Sequence, residues 1–81
     1  MREGAEMTRL DIQLKNMNDV QSFVNITNAY PFHIAVRQDN ALIDAKSLMG
    51  ILSLDHTRPI IVEAYGNEGH VLNDALSAFM L

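Results

Sequence analysis

Two side chains stand where phosphate chemistry could occur. His56 lies in Asp55-His56-Thr57-Arg58-Pro59, an imidazole followed closely by a guanidinium. An imidazole nitrogen can carry a phosphoryl group when a helix N-terminus offers free backbone N–H groups to the phosphoryl oxygens and an arginine adds charge-assisted hydrogen bonds. The residues after Arg58, Pro59 followed by "IIVEAYG", are β-branched and alternating, so His56 precedes a strand and has no helix N-terminus behind it. Ser47 opens the short segment "SLMGILSL", where its hydroxyl can cap a helix and where an added phosphate of charge near about −2 is tolerated. Other chemistries find no footing. His33, His56 and His70 are far apart, with no cysteine and no i, i+4 pair, which makes a poor metal site. There is no glycine-rich phosphate loop, nucleophile elbow or close carboxylate pair, so no enzyme signature or cofactor is expected.

The elements that must position these residues follow from periodicity. Leu10, Ile12 and Leu14 alternate with polar neighbours and predict a half-buried strand over 8–15. Asn16 or Asn18 can cap a helix that carries Val20, Phe23, Val24 and Thr27 on one face and stops at Pro31. Phe32, Ile34 and Val36 then face one way and His33, Ala35 and Arg37 the other. A turn at Asp39-Asn40 leads into the strand "ALIDA". A second helix, weakened by Gly50, places Leu48, Ile51 and Leu52 together. A fourth strand carries Ile60, Val62 and Ala64 against Ile61, Glu63 and Tyr65. Asn67 is then predicted to cap a last helix with Val71, Leu72, Ala75, Leu76 and Phe79 on its apolar face. The order βαββαβα, with too few strands for a barrel, predicts an α+β fold: a four-stranded antiparallel sheet covered on one side by three helices.

Composition narrows the function classes. The 81 residues form one domain, expected over 7–81, with the polar start 1–6 read as a disordered extension. Six Lys plus Arg against ten Asp plus Glu give a net charge of −4, and the cations are scattered in sequence, which disfavours direct nucleic-acid contact. No apolar run approaches the roughly 20 residues that cross a bilayer, and with cysteine absent the expected place is the cytoplasm.

The run from Tyr30 to the C-terminus, and most specifically Lys46-Ser47-Leu48-Met49-Gly50-Ile51-Leu52-Ser53-Leu54, resembles the histidine-containing phosphocarrier HPr of the bacterial sugar phosphotransferase system. The resemblance implies an open-faced β-sandwich with sheet order 1-4-2-3. It equates Ser47 with the serine that HPr kinase phosphorylates, with Lys46 beside it to neutralise part of the added charge, and it counts Lys46 with Leu48, Met49, Ile51 and Leu52 as partner-binding residues, the last four partly core and partly docking surface. It also exposes a departure. The family's carrier histidine lies between the first strand and first helix in a Gly-(hydrophobic)-His-(Ala/Thr)-Arg-Pro motif, whereas the same junction here reads "LKNMNDV", about four residues shorter and without histidine, arginine or proline.

Three readings follow from the resemblance. One is a regulatory relative switched at Ser47, whose partners are an HPr-kinase-like enzyme, a transcription regulator or components of the phosphotransferase system. Another is a phosphocarrier that uses His56 as a displaced phosphoacceptor with Arg58 beside it. The third is an interaction module that keeps only the fold, with room for a homodimer on the apolar C-terminal face.

Overall fold

The computed structural model describes residues 6–81, so the expectation of a disordered start lies, for 1–5, outside the described residues. The Glu6 carbonyl accepts a hydrogen bond from the Gly66 N–H, one step beyond the paired strands. The elements run β1 (Met7–Ile12), α1 (Met17–Asn28), β2 (Ile34–Gln38), β3 (Ala41–Asp44), α2 (Leu48–Leu52) and β4 (Ile60–Tyr65), followed by a short α3 (Leu72–Ala75). The strands form one antiparallel sheet in the order β1-β4-β2-β3. The predicted α+β architecture, with helices on one face, is the observed one.

Alternation sets the two faces of the sheet. Leu10, Ile12, Ile34, Val36, Ile60, Val62 and Ala64 point into the core, where they meet Val20 and Phe23 of α1, Ile51 of α2, and Leu72 and Leu76 of the last segment. Phe23 is fully buried, and truncating such a ring costs about 3–5 kcal/mol. β1 ends at Ile12, earlier than the alternation predicts, and Leu14 tucks into the core. The passage from β1 to α1 is therefore only residues 13–16.

The hairpin joining β2 and β3 turns at Asp39-Asn40, with Asp39 in the left-handed region at φ 54°, a conformation that Asp tolerates better than most residues. Gly50 has a packing reason to interrupt α2: a Cβ there would lie 2.5 Å from the Ile43 side chain, so glycine is what lets the helix approach β3.

The last segment departs from the continuous helix that its spacing predicts. It breaks into a 3-10 turn (Gly69–Val71), the short α3 and a second 3-10 turn (Ser77–Phe79), and Asn67 caps none of them. Both ends are anchored elsewhere. Gly69 packs so closely on β1 and β4 that an added Cβ would sit 2.8–2.9 Å from Thr8 and Ala64. At the other end Gln13 N–H donates to the Phe79 carbonyl and Leu81 N–H to the Asp11 carbonyl, drawing the chain out into an extended strip along β1. Val71, predicted to be in the core, is exposed as a result.

Candidate functional site

The entrance to α1 carries a cap made by its own side chains. The Asn16 side-chain oxygen accepts from the Asp19 N–H at 2.9 Å, and the Asp19 carboxylate reaches back to accept from the Lys15 N–H at 2.9 Å. This pairing satisfies one first-turn donor, the Asp19 N–H, and the Lys15 N–H just before the helix, and it sets a carboxylate at the positive end, where it disfavours an incoming anion.

The loop 53–59 lies at the same end of the sheet, because it enters β4 at Ile60, opposite Ile12, where β1 ends. It is held rigidly. The Gln38 amide donates to the Asp55 carbonyl and accepts from the Asp55 N–H, both at 2.9 Å. The Asp55 carboxylate accepts from the Thr57 hydroxyl at 2.6 Å, the Thr57 N–H at 3.0 Å and Arg58 Nε at 3.1 Å. These bonds, the Thr57 hydroxyl first, hold its pKa at about 2. The guanidinium of Arg58 is completed by two contacts to Asp39 at 2.6 and 3.2 Å, which lower the pKa of Asp39 in turn. Arg58 is thus clamped between two carboxylates. His56 Nε2 is shielded from solvent and has no hydrogen-bond partner. The letters of a phosphate site are present, but here they build a latch between the loop and the β2–β3 turn.

Ser47 sits at the head of α2, half-buried, and its Oγ accepts from the Gly50 N–H at 3.1 Å. The segment before it is bound to the end of α1 by three side chains: Thr27 Oγ1 donates to the Ala45 carbonyl (2.9 Å), Asn28 Nδ2 to the Lys46 carbonyl (3.1 Å), and Lys46 Nζ to the Tyr30 carbonyl (2.6 Å). The Lys46 ammonium therefore answers to the end of α1. Of the residues expected to share core and docking roles, Met49 is 79% exposed and Leu52 38%, while Leu48 is half-buried. Ile51 is fully buried and belongs to the core alone: it points under the helix toward the sheet, which corrects its assignment to a docking surface.

No protein-family model and no curated protein matches the sequence. Solved structures do. The phosphocarrier protein HPr from Bacillus anthracis str. Ames superposes with a TM-score of 0.72 at 26% identity, covering 94% of this chain and 96% of that one. HPr-C-His from Thermoanaerobacter tengcongensis gives 0.69 at 27% identity, with 90% and 88% covered. The chain is HPr-like.

Within this HPr-like frame, the junction where the resemblance places a carrier histidine holds Gln13, Leu14, Lys15 and Asn16, followed by the Asp19 carboxylate. The structure also shows a cluster that the sequence reading missed, on the sheet face away from the helices. Glu63 is only 2% exposed there. Arg37 Nε and Nη2 donate to its two oxygens at 3.0 and 3.3 Å, the Tyr65 hydroxyl donates at 2.9 Å, and Arg9 stands 3.8 Å away. These donors, Arg37 first, hold the Glu63 carboxyl below its ordinary range. His33, exposed as expected, stacks on Tyr65 with centroids 5.2 Å apart. Alternation along β4 places Glu63 on the outer face, but its burial depends on an arginine 26 residues distant, which no local pattern reveals. No group of histidine and carboxylate side chains among the described residues could hold a metal ion, and no helix there is long and apolar enough to cross a membrane.

Proposed function

We propose that this chain is a regulatory relative of HPr: a small docking protein of the phosphotransferase network, acting in the cytoplasm, read by protein partners through α2 and switched by phosphorylation of Ser47. It does not relay phosphate through histidine. The observation that carries this reading is the self-capped entrance of α1. A phosphohistidine needs free amides, a cation and an imidazole together. Asn16 has taken one of the first-turn amides, that of Asp19, and the Asp19 carboxylate supplies negative charge at the same end. His56 presents a shielded nitrogen, and Arg58 is committed to Asp39 and Asp55.

The reading of α2 rests on exposure and cap geometry. Met49 offers a soft, adaptable contact beside Leu52, with Leu48 and Lys46 at the margin. Ser47 Oγ accepts the Gly50 N–H, and an acceptor role leaves its own proton free for exchange with a phosphoryl group. The partner is an HPr-kinase-like enzyme for the modification, and a transcription regulator or a phosphotransferase-system component for the readout.

Incubation with ATP and an HPr-kinase-like enzyme, followed by peptide mapping, is expected to give an acid-stable phosphate on Ser47 that is absent from Ser47→Ala. Phosphoenolpyruvate with the general phosphotransfer enzymes is expected to leave no acid-labile label. A label that appears and is lost in His56→Ala would replace this reading with the carrier one, and the absence of both marks would leave an interaction module.

A further inference from the structure

A recess of about 230 Å³ opens where the loop before β2 meets the turn after β4, lined by Pro31, Phe32, Tyr65, Gly66, Asn67 and Glu68. Its walls are held in place. The Tyr65 hydroxyl is anchored to Glu63 and its ring stacks on His33, while Phe32 leans against Tyr30 with centroids 5.4 Å apart. Gly66, at φ 104°, turns the chain away from the sheet and brings Asn67 and Glu68 to the rim.

The charge of the recess is one-sided. Glu68 is exposed, and among the described residues it has no ion-pair partner and no lysine or arginine lines the space. The cations bonded to neighbouring groups are both engaged, Arg37 with Glu63 and Lys46 with the Tyr30 carbonyl. Two anchored aromatic rings beside a carboxylate with no ion-pair partner among the described residues, on a chain of net charge −4, favour a cation that can stack and fork at once. That description fits a guanidinium better than an ammonium, since the planar group can lie on a ring while two N–H groups meet the carboxylate. The volume falls short of the roughly 300–1,000 Å³ of small-molecule sites and matches a single inserted side chain.

We propose that this recess receives an arginine side chain presented by a protein partner, forming a second docking point distinct from α2. The test is a ¹H–¹⁵N NMR titration of the chain at pH 7.5 and low salt with N-acetyl-arginine methylamide, run beside the neutral citrulline analogue. Saturable shifts are expected at the amides of Phe32 and of Tyr65 to Glu68 with the arginine probe only. Glu68→Gln should weaken binding at least fivefold, and Phe32→Leu, which keeps apolar bulk but removes the ring, at least threefold. The spectra themselves report that each variant is folded. Equal shifts with citrulline, shifts centred elsewhere, no saturable binding, or unchanged affinity in Glu68→Gln would each overturn the proposal.

Discussion

Thr27 is the most economical place to test how α2 is positioned. Its side chain is fully buried, and Oγ1 donates to the Ala45 carbonyl at 2.9 Å with a second contact to the Val24 carbonyl at 3.0 Å. Val24 is helical, but Ala45 lies between β3 and α2, and Thr27 is the donor that its buried carbonyl receives. Thr27→Val keeps the shape and removes only the donor. A buried acceptor left without a partner costs about 1–3 kcal/mol. At about 4–8 °C per kcal/mol for a domain of this size, the middle of that range lowers Tm by about 8–16 °C. Urea denaturation followed by circular dichroism should show a lower midpoint with an unchanged slope, the sign of lost stability without a change in the surface exposed. Thr27→Ser, which keeps the hydroxyl and loses a methyl, separates bonding from packing and should cost only about 1 kcal/mol. If Thr27→Val lies within about 0.5 kcal/mol of the parent, or if the serine variant is the weaker of the two, the hydroxyl does not tie the end of α1 to the start of α2 and the reasoning fails.

Three further outcomes are expected. Ser47→Ala removes the cap on Gly50 and should cost about 0.5–2 kcal/mol, whereas Ser47→Asp, which can also accept that N–H, should stay close to the parent in thermal melts. Gly50→Ala improves helix propensity by up to about 1 kcal/mol, yet it places a Cβ 2.5 Å from Ile43, and overpacking of that kind costs about 1–3 kcal/mol, so its net effect should be a lower Tm. The pKa of Glu63 is depressed in the folded state from an ordinary 4.5, so its stabilisation is complete above that value and is lost as pH falls through the lower folded value. The Tm gap between the parent and Glu63→Gln should therefore hold steady above about pH 5 and narrow below pH 4.5, as measured by melts across an acid series.

Local rules made the sheet legible. Leu10 and Ile12, Ile34 and Val36, and Ile60, Val62 and Ala64 carry a period of two that suits a half-buried strand; Asn16 or Asn18 marked a cap, which falls to Asn16, and the Asp39-Asn40 pair marked a turn by its own side-chain chemistry. The misses share one cause: contacts between residues distant in sequence override local preference. Gly69 lies against Thr8 and Ala64, and Phe79 bonds to Gln13, so a sequence with helical spacing is stretched between two anchors and breaks into short turns. Lys46 is adjacent to Ser47 in sequence, but its ammonium serves the Tyr30 carbonyl. Ile51 and Leu52 are neighbours on the same short helix, and only the packing of α2 against the sheet decides that one is core and the other surface. At the candidate site the α1 junction "LKNMNDV" holds no histidine, arginine or proline, as the sequence reads; the Asp19 bridge found there depends on side-chain geometry that residue types do not specify.

The strip formed by Phe79, Met80 and Leu81 along β1 has a bearing on self-association. An open sheet ordinarily offers two margins, and a molecule with two sticky margins can stack into a filament without limit. Here the end of one margin, at residues 11–13, is already occupied by the chain itself, and the other margin is β3, four residues long. A second molecule adding a strand at that end of β1 would first have to displace the strip, which narrows the edge open to strand-to-strand joining.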